Sequence, residues 1–181
     1  SSMHGVTLRQ NRDMFTAEFS PLGGVFGGGG LFGIGFALGV VDGLRQSGTD
    51  LSHSPILGTS AGSWVGAATV CGVTFEELSD MPVPSFPNPK NGLLASVARD
   101  IFGDKKSDQI RVVACKLPRF QRTVLDAGQF PLADLIAASS SVPGLLAPHT
   151  IGDARYVDGG VRSGTSVDFG PQAHHLIMIQ L

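Results

Sequence analysis

The chain combines short apolar runs with longer segments in which apolar residues recur at helical spacing. The helical spacing predicts helices over residues 34–48, 60–71, 93–102 and 132–138. The short apolar runs, bounded by turn-forming residues, predict strands at 56–57, 110–115, 123–125, 156–157 and 176–179. Because strands and helices alternate, the pattern indicates an α/β fold with a mainly parallel sheet and helices on both faces.

Residues 21–181 are predicted to form a single domain. Residues 1–20 show little periodicity of apolar and polar positions and are predicted to be an N-terminal extension, part of which derives from the expression vector. Because the last apolar run, 176–179, has the pattern of a buried strand just before the chain stops, the sequence also predicts a truncated C-terminus. Residues 81–91 contain four prolines and predict a loop, in a natural position for a lid or a substrate-facing segment.

Composition narrows the classes of function. Charged residues make up 15% of the chain and the net charge is −2, which argues against a nucleic-acid-binding surface. The two cysteines, Cys71 and Cys115, form neither a disulfide framework nor a metal motif. No apolar run is long enough to span a bilayer. We therefore expect a cytoplasmic protein without cofactor or metal, and leave open transient contact with a membrane surface and the oligomeric state.

The residues from Gly58 to Gly62 fit the pattern G-x-S-x-G, in which a serine occupies a sharp turn between a strand and a helix. Small residues on either side of Ser60 allow the strained backbone of such a turn. The strand predicted before the motif and the helix predicted after it supply the required context. The pattern predicts that Ser60 is a nucleophile, with a chance match as the alternative in a chain that has 25 glycines.

Glycine is also dense ahead of the first predicted helix, where residues 28–33 match G-x-G-x-x-G. A dinucleotide-binding protein carries an acidic residue at the end of its second strand, whereas Asp50 precedes the strand, which disfavours that interpretation. Beside a nucleophilic serine, the backbone N–H groups of Gly28, Gly29 and Gly30 are candidates for an oxyanion hole. Close packing of a helix on a strand is the alternative role for these glycines.

A nucleophilic serine needs a group that accepts its proton. Asp158 is the most suggestive candidate because it follows a short predicted strand and precedes two glycines, at the edge where α/β sites are built. It can act directly on Ser60, or through His174 or His175 in the chain order Ser, Asp, His. Both histidines lie at the start of the last predicted strand, which favours the direct pair. An ordinary turn aspartate is the alternative role for Asp158.

Three motifs in one order resemble those of the patatin-like phospholipases and lipid acyl hydrolases. They are the glycine-rich loop 27–33, the G-x-S-x-G motif and the Asp-Gly-Gly of residues 158–160, with a further similarity in residues 137–144. The resemblance implies a three-layer α/β/α sandwich in which Ser60 is the nucleophile and Asp158 the base of a Ser-Asp dyad. It implies that the glycine loop supplies the oxyanion hole and that no metal is required. The implied substrates are phospholipids, lysophospholipids, neutral glycerides or other fatty-acyl esters.

The chain departs from this family in two respects. The family's loop commonly carries Arg or Lys just before its last glycine, and here that position is Phe32, which leaves neutral or small acyl esters open beside phospholipids. The segment from Ser60 to Asp158 is short, so any lid is expected to be small. The candidates for an acyl pocket, with core packing as their alternative role, are Phe32, Phe36, Phe86, Leu93, Leu94, Leu145 and Leu146.

Three functions therefore stay open at the level of sequence. The first is an acyl hydrolase with the Ser60 and Asp158 dyad. The second is an esterase with a triad of Ser60, Asp158 and either His174 or His175. The third is a non-catalytic domain that binds a nucleotide or a lipid through the glycine-rich loop.

Overall fold

A seven-stranded sheet forms the centre of the computed structural model, which describes residues 19–181. Its strands are β1 (Ser20–Phe26), β2 (Ile56–Thr59), β3 (Ile110–Lys116), β4 (Gln121–Asp126), β5 (His149–Ile151), β6 (Ala154–Asp158) and β7 (Ala173–Ile179). The helices are α1 (Gly30–Gln46), α2 (Ala61–Cys71), α3 (Phe75–Ser79), α4 (Leu93–Phe102) and α5 (Leu132–Ser140). The predicted α/β class is confirmed.

Strands β7, β1, β2 and β3 are adjacent in that order and parallel to one another. The other three pairs are antiparallel: β4 pairs with β3, β6 also pairs with β3, and β5 pairs with β6. A strand buried on both faces consists of a nearly continuous apolar run. This explains β3, in which every residue from Ile110 to Cys115 is buried.

The pairing of β3 brings two strand ends together. One edge of β3 is occupied by β4 over residues 111–116. Along the other edge, β2 pairs as far as Val113, which lies opposite Thr59. From Ala114 onward, the same edge of β3 pairs with β6, and Asp158 lies opposite Ala114. Because β2 is parallel and β6 antiparallel to β3, their C-terminal ends meet at Thr59 and Asp158.

The main hydrophobic core lies between the sheet and the helices. Phe26 and Ile56, on one face of the sheet, join a single apolar cluster that includes side chains from all of α1 to α5. The opposite face carries Val25 and Leu57, against which Phe169 packs. In the part of the chain that the structure describes, this face has no second helical layer, because the segment between β6 and β7 forms only short 3₁₀ turns.

β1 is an element that the apolar pattern did not predict. It contains Gly23 and Gly24, and glycine is depleted in strands. The structure explains why small residues stand there: a Cβ on Gly23 would lie 3.0 Å from Pro171 Cγ and 3.1 Å from Ala173 Cβ. The glycines that weaken the strand signal therefore allow the neighbouring chain to pack closely on β1.

The last strand differs from the buried strand that its apolar run predicts. Among residues 19–181, β7 lies at the edge of the sheet, and its Leu176 and Met178 are 41% and 54% exposed. These two residues pair with Gly23 and Val25 and therefore share the face opposite the helices. The predicted N-terminal extension, apart from its last two residues, lies outside the described part of the chain.

Candidate active site

Ser60 lies in the sharp turn between β2 and α2. Its backbone has φ 52° and ψ −119°, a region that residues with a side chain rarely occupy. Such strain persists only where the surrounding structure enforces it, and it is commonest at functional sites. Strand, turn and helix follow one another in the order that the G-x-S-x-G motif predicts.

Two glycines make room for this turn. A Cβ on Gly58 would come within 2.6 Å of the carbonyl oxygen of Gly62. A Cβ on Gly62 would overlap the carbonyl group of Phe26 at the end of β1. The turn therefore packs backbone directly against backbone, and this packing requires glycine at both positions.

Asp158, the last residue of β6, faces Ser60. The Ser60 hydroxyl donates a hydrogen bond of 2.6 Å to Asp158 Oδ2, and the Gly160 N–H donates one of 2.7 Å to Asp158 Oδ1. The backbone N–H of Asp158 donates to the carbonyl oxygen of Ser141 at 2.9 Å. These contacts hold the carboxylate with one oxygen directed at the Ser60 hydroxyl.

The surroundings of Asp158 increase its basicity. Burial raises the pKa of the Asp158 carboxyl and outweighs the hydrogen bonds from Ser60 and Gly160, which lower it. A carboxylate with a raised pKa is a stronger proton acceptor than an ordinary aspartate. A serine hydroxyl bonded to such a group can lose its proton as the oxygen attacks an electrophile.

Ser139, near the end of α5, holds the backbone of Ser60. The Ser139 hydroxyl accepts a hydrogen bond from the Ser60 N–H at 2.9 Å and donates one to the Val113 carbonyl oxygen at 2.7 Å. The residue is fully buried. Ser139 thus links the turn to the point on β3 where β2 and β6 meet. In the sequence, Ser139 is marked only by its position in residues 137–144, the segment that resembles the patatin-like family.

Replacing Ser139 with alanine is expected to lower kcat for ester hydrolysis by about 10- to 100-fold, because the Ser60 turn loses its anchor. The unpaired N–H and carbonyl should also cost about 1–3 kcal/mol of stability. Ser141→Ala is the matched control, since the Ser141 hydroxyl donates only to Ala137 O, at 2.7 Å. Steady-state kinetics and thermal unfolding of both variants check this. Equal kcat values in the two variants would contradict a positioning role for Ser139.

The glycine-rich loop between β1 and α1 differs from residue to residue in its free N–H groups. The Gly28 N–H donates to Gly164 O at 2.8 Å, so Gly28 could act as an oxyanion donor only by giving up this hydrogen bond, and its role stays a prediction. Gly28 also brings the backbone close to Ser60, because a Cβ there would lie 3.7 Å from Ser60 Cβ. Within residues 19–181 the N–H groups of Gly29 and Gly30 have no acceptor, and both stay candidates for an oxyanion hole.

Ala61 is a further candidate donor, which was not among the residues predicted from the sequence. It is the first residue of α2, and its N–H has no acceptor in the described part of the chain. In strand-turn-helix sites the N–H of the residue after the nucleophile binds the oxyanion. The positive end of the α2 dipole lies at the same place.

The histidines of the triad alternative lie away from this site. His174 and His175 are in the first half of β7, which β1 separates from β2. His175 pairs with Leu22, four residues before Phe26 at the end of β1. At about 3.3 Å per residue, His175 is roughly 13 Å from the sheet edge that carries the site. The structure therefore contradicts the triad.

An apolar cavity of about 200 Å³ opens beside Ser60. Its walls come from α1, α2, α4, the loop 81–86 and residues 140–146, and none of the side chains that line it is charged. The proline-rich loop thus contributes to the cavity, as expected for a segment that faces substrate. An uncharged lining suits an apolar ligand rather than a charged group.

The structure separates the residues predicted to form an acyl pocket. Phe86, Leu94, Leu145 and Leu146 line the cavity. Phe32 and Phe36 do not, because they point outward from α1, and Phe32 is 74% exposed. Leu93 also lies outside the cavity. Trp64, which was not among the predicted pocket residues, also lines the cavity.

The fold and the site define a class: an α/β protein in which a serine on a strand-to-helix turn contacts a buried carboxylate directly. The sequence model of the family described as patatin-like phospholipase matches residues 84–169. This match, over a little less than half of the chain, confirms the resemblance to the patatin-like family. The matched segment contains Asp158 but neither Ser60 nor the glycine-rich loop. No curated protein matched the chain in a sequence comparison.

In residues 19–181, no group of three or more His, Cys, Asp or Glu side chains is arranged to hold a metal ion. None of the helices in the same range combines the length and the apolar character that crossing a bilayer requires.

Proposed function

We propose that this chain is a serine acyl hydrolase that cleaves fatty-acyl esters of lipids, with Ser60 as nucleophile and Asp158 as base. The observation that carries the proposal is the 2.6 Å hydrogen bond from Ser60 Oγ to Asp158 Oδ2 on a strained strand-to-helix turn. The cavity that opens at the same serine supports it, since an apolar chain bound there would place its ester group beside the nucleophile.

The first half of the reaction forms an acyl-enzyme. Ser60 Oγ attacks the ester carbonyl carbon while its proton passes to Asp158 Oδ2. The negative charge that develops on the carbonyl oxygen is stabilised by the free N–H groups of Gly29, Gly30 and Ala61. As the C–O bond of the ester breaks, the leaving alcohol takes the proton from Asp158.

The second half releases the fatty acid. A water molecule takes the place of the alcohol and gives a proton to Asp158 as its oxygen attacks the acyl carbon. The bond to Ser60 Oγ then breaks, and the proton on Asp158 returns to the serine. Asp158 thus acts as base and then as acid in each half, which requires a pKa closer to the working pH than that of an ordinary aspartate.

Neutral glycerides and small acyl esters are favoured over phospholipids. A phosphate head group would be stabilised by Arg or Lys near the site. The loop position at which the family commonly carries a basic residue is Phe32, which is exposed on α1, and the cavity lining contributes no positive charge.

The pH dependence of hydrolysis tests the role of the base. Only the ionised carboxylate accepts the proton of Ser60, and burial raises the pKa of Asp158. We therefore expect kcat/KM for a p-nitrophenyl ester to fall as the pH is lowered below neutrality. The midpoint of this fall should lie at a higher pH than the usual pKa range of aspartate. A profile that stays flat through that range, in protein shown by circular dichroism to be folded, would count against Asp158 as the base.

A further inference from the structure

The cavity beside Ser60 is closed at one end and open at the other. Ile34, Trp64 and Val97 line its inner part and are 7%, 4% and 7% exposed. Val83 and Leu145 line its mouth and are 54% and 46% exposed. A chain that enters past the mouth therefore ends against a buried floor.

The volume of the cavity limits the length of that chain. A cavity of about 150 Å³ accommodates a benzene ring, and one of about 200 Å³ accommodates roughly eight carbon atoms on the same scale. The cavity beside Ser60 has a volume of about 200 Å³. A longer chain would extend back through the mouth into water and would gain little further burial.

Trp64 has a fixed position in the floor. Its indole Nε1–H donates a hydrogen bond of 3.1 Å to the Ser140 hydroxyl. Its ring packs on Phe102, with the ring centroids 6.4 Å apart and the planes inclined by 52°. Moving the indole aside would break the hydrogen bond and the ring contact, so the depth of the cavity is set before a ligand binds.

We propose that this cavity selects neutral esters whose acyl chain has about eight carbons, and that Trp64 determines the limit. The proposal rests on the proposed function, because it concerns the acyl group that Ser60 would receive. It goes beyond that function in naming the preferred chain length and the residue that sets it.

A series of p-nitrophenyl esters with acetyl, butyryl, octanoyl, dodecanoyl and hexadecanoyl chains tests the proposal. We expect kcat/KM to rise by up to about four-fold per methylene as far as the octanoyl ester, since each buried methylene contributes about 0.8 kcal/mol. Beyond that length kcat/KM should level off or fall. A rise that continues to the hexadecanoyl ester, or equal rates with all chains, would overturn the proposal while leaving the proposed hydrolase intact.

Variants of the floor should move this maximum in opposite directions. Trp64→Ala is expected to shift it toward the dodecanoyl ester, and Val97→Phe toward the butyryl ester. Phe75, an exposed side chain on α3 outside the cavity, provides the control Phe75→Ala, which should keep the wild-type profile. An unchanged profile in folded Trp64→Ala and Val97→Phe would overturn the assignment of the limit to Trp64.

Binding of straight-chain alcohols separates this proposal from the hydrolase itself. Trp64 is the only tryptophan in the chain, so its fluorescence reports directly on the cavity floor. In Ser60→Ala, which is expected to lack hydrolysis, the affinity should increase by up to about four-fold per methylene to 1-octanol and no further. Absence of a saturable fluorescence change with 1-octanol would overturn the proposal, whether or not the wild-type protein cleaves esters.

Discussion

Replacing Asp158 with asparagine is expected to reduce kcat/KM for ester hydrolysis by about 10³-fold or more. Asparagine has nearly the same shape, so it can still accept the hydrogen bond from the Gly160 N–H. It cannot take the proton of Ser60, because the amide group is not a base at neutral pH. The variant therefore removes the chemistry of the pair while keeping its packing. Steady-state kinetics with a p-nitrophenyl ester measures the loss.

The stability of the same variant is the check that its fold is intact. Because burial raises the pKa of Asp158 in the folded protein, its contribution to stability is complete below the pKa of the unfolded chain. That contribution is lost as the pH rises through the folded-state pKa. Asp158→Asn has no charge to bury and should be at least as stable as wild type at neutral pH. Thermal unfolding at neutral and acidic pH measures the difference.

The two histidines on β7 provide the control for Asp158. The double variant His174→Ala and His175→Ala should retain most of the hydrolytic activity, because both side chains are exposed and away from the sheet edge. The opposite result, with activity surviving in Asp158→Asn and lost in the double histidine variant, would contradict the dyad.

Replacing Gly62 with alanine is expected to unfold the protein or to destabilise it by more than about 4 kcal/mol. The added Cβ would overlap the carbonyl group of Phe26, and it would also lie 2.9 Å from the Gly27 carbonyl oxygen. Both contacts are with backbone, which cannot move aside without separating α2 from β1. Solubility on expression and chemical denaturation measure the effect.

Gly39→Ala is the matched control for this substitution. Gly39 also lies within a helix, α1, but it is exposed and a Cβ there would have nothing within 4 Å. Alanine is favoured over glycine in a helix by about 1 kcal/mol, so this variant should be slightly more stable than wild type. If Gly62→Ala were as stable as Gly39→Ala, the result would contradict the close packing of the turn against β1.

Elements with a local signal could be predicted from the sequence. The strand at Ile56 and the helix after Ser60 each depend on neighbours in the chain, and the structure has both. Gly72, just after that helix, is typical of a helix end, and in the structure it ends α2 in the left-handed conformation. Residues 74–77 have the spacing of a capping box, which predicts a helix start, and in the structure the Thr74 side chain does cap the N–H of Glu77. Such features are determined by a few consecutive residues and are therefore visible without knowledge of the tertiary contacts.

Features that depend on contacts between distant segments could not be predicted in the same way. Ser139 is 79 residues from Ser60, and its two hydrogen bonds exist only because α5 packs against α2 and β3. The acceptor that occupies the Gly28 N–H comes from Gly164, beyond Asp158 in the chain. The exposure of Leu176 and Met178 likewise depends on what covers the sheet face that they share, and not on their own apolar character.

Covalent labelling of Ser60 by a fluorophosphonate is the most direct test of the proposed function. The probe reacts with a serine hydroxyl only when a neighbouring base and an oxyanion site activate it. Mass spectrometry of the digested wild-type protein should find the label on Ser60, and Asp158→Asn should label far more slowly. Absence of label on Ser60, in protein whose circular dichroism and thermal unfolding are native, would contradict the proposal that this serine is a nucleophile.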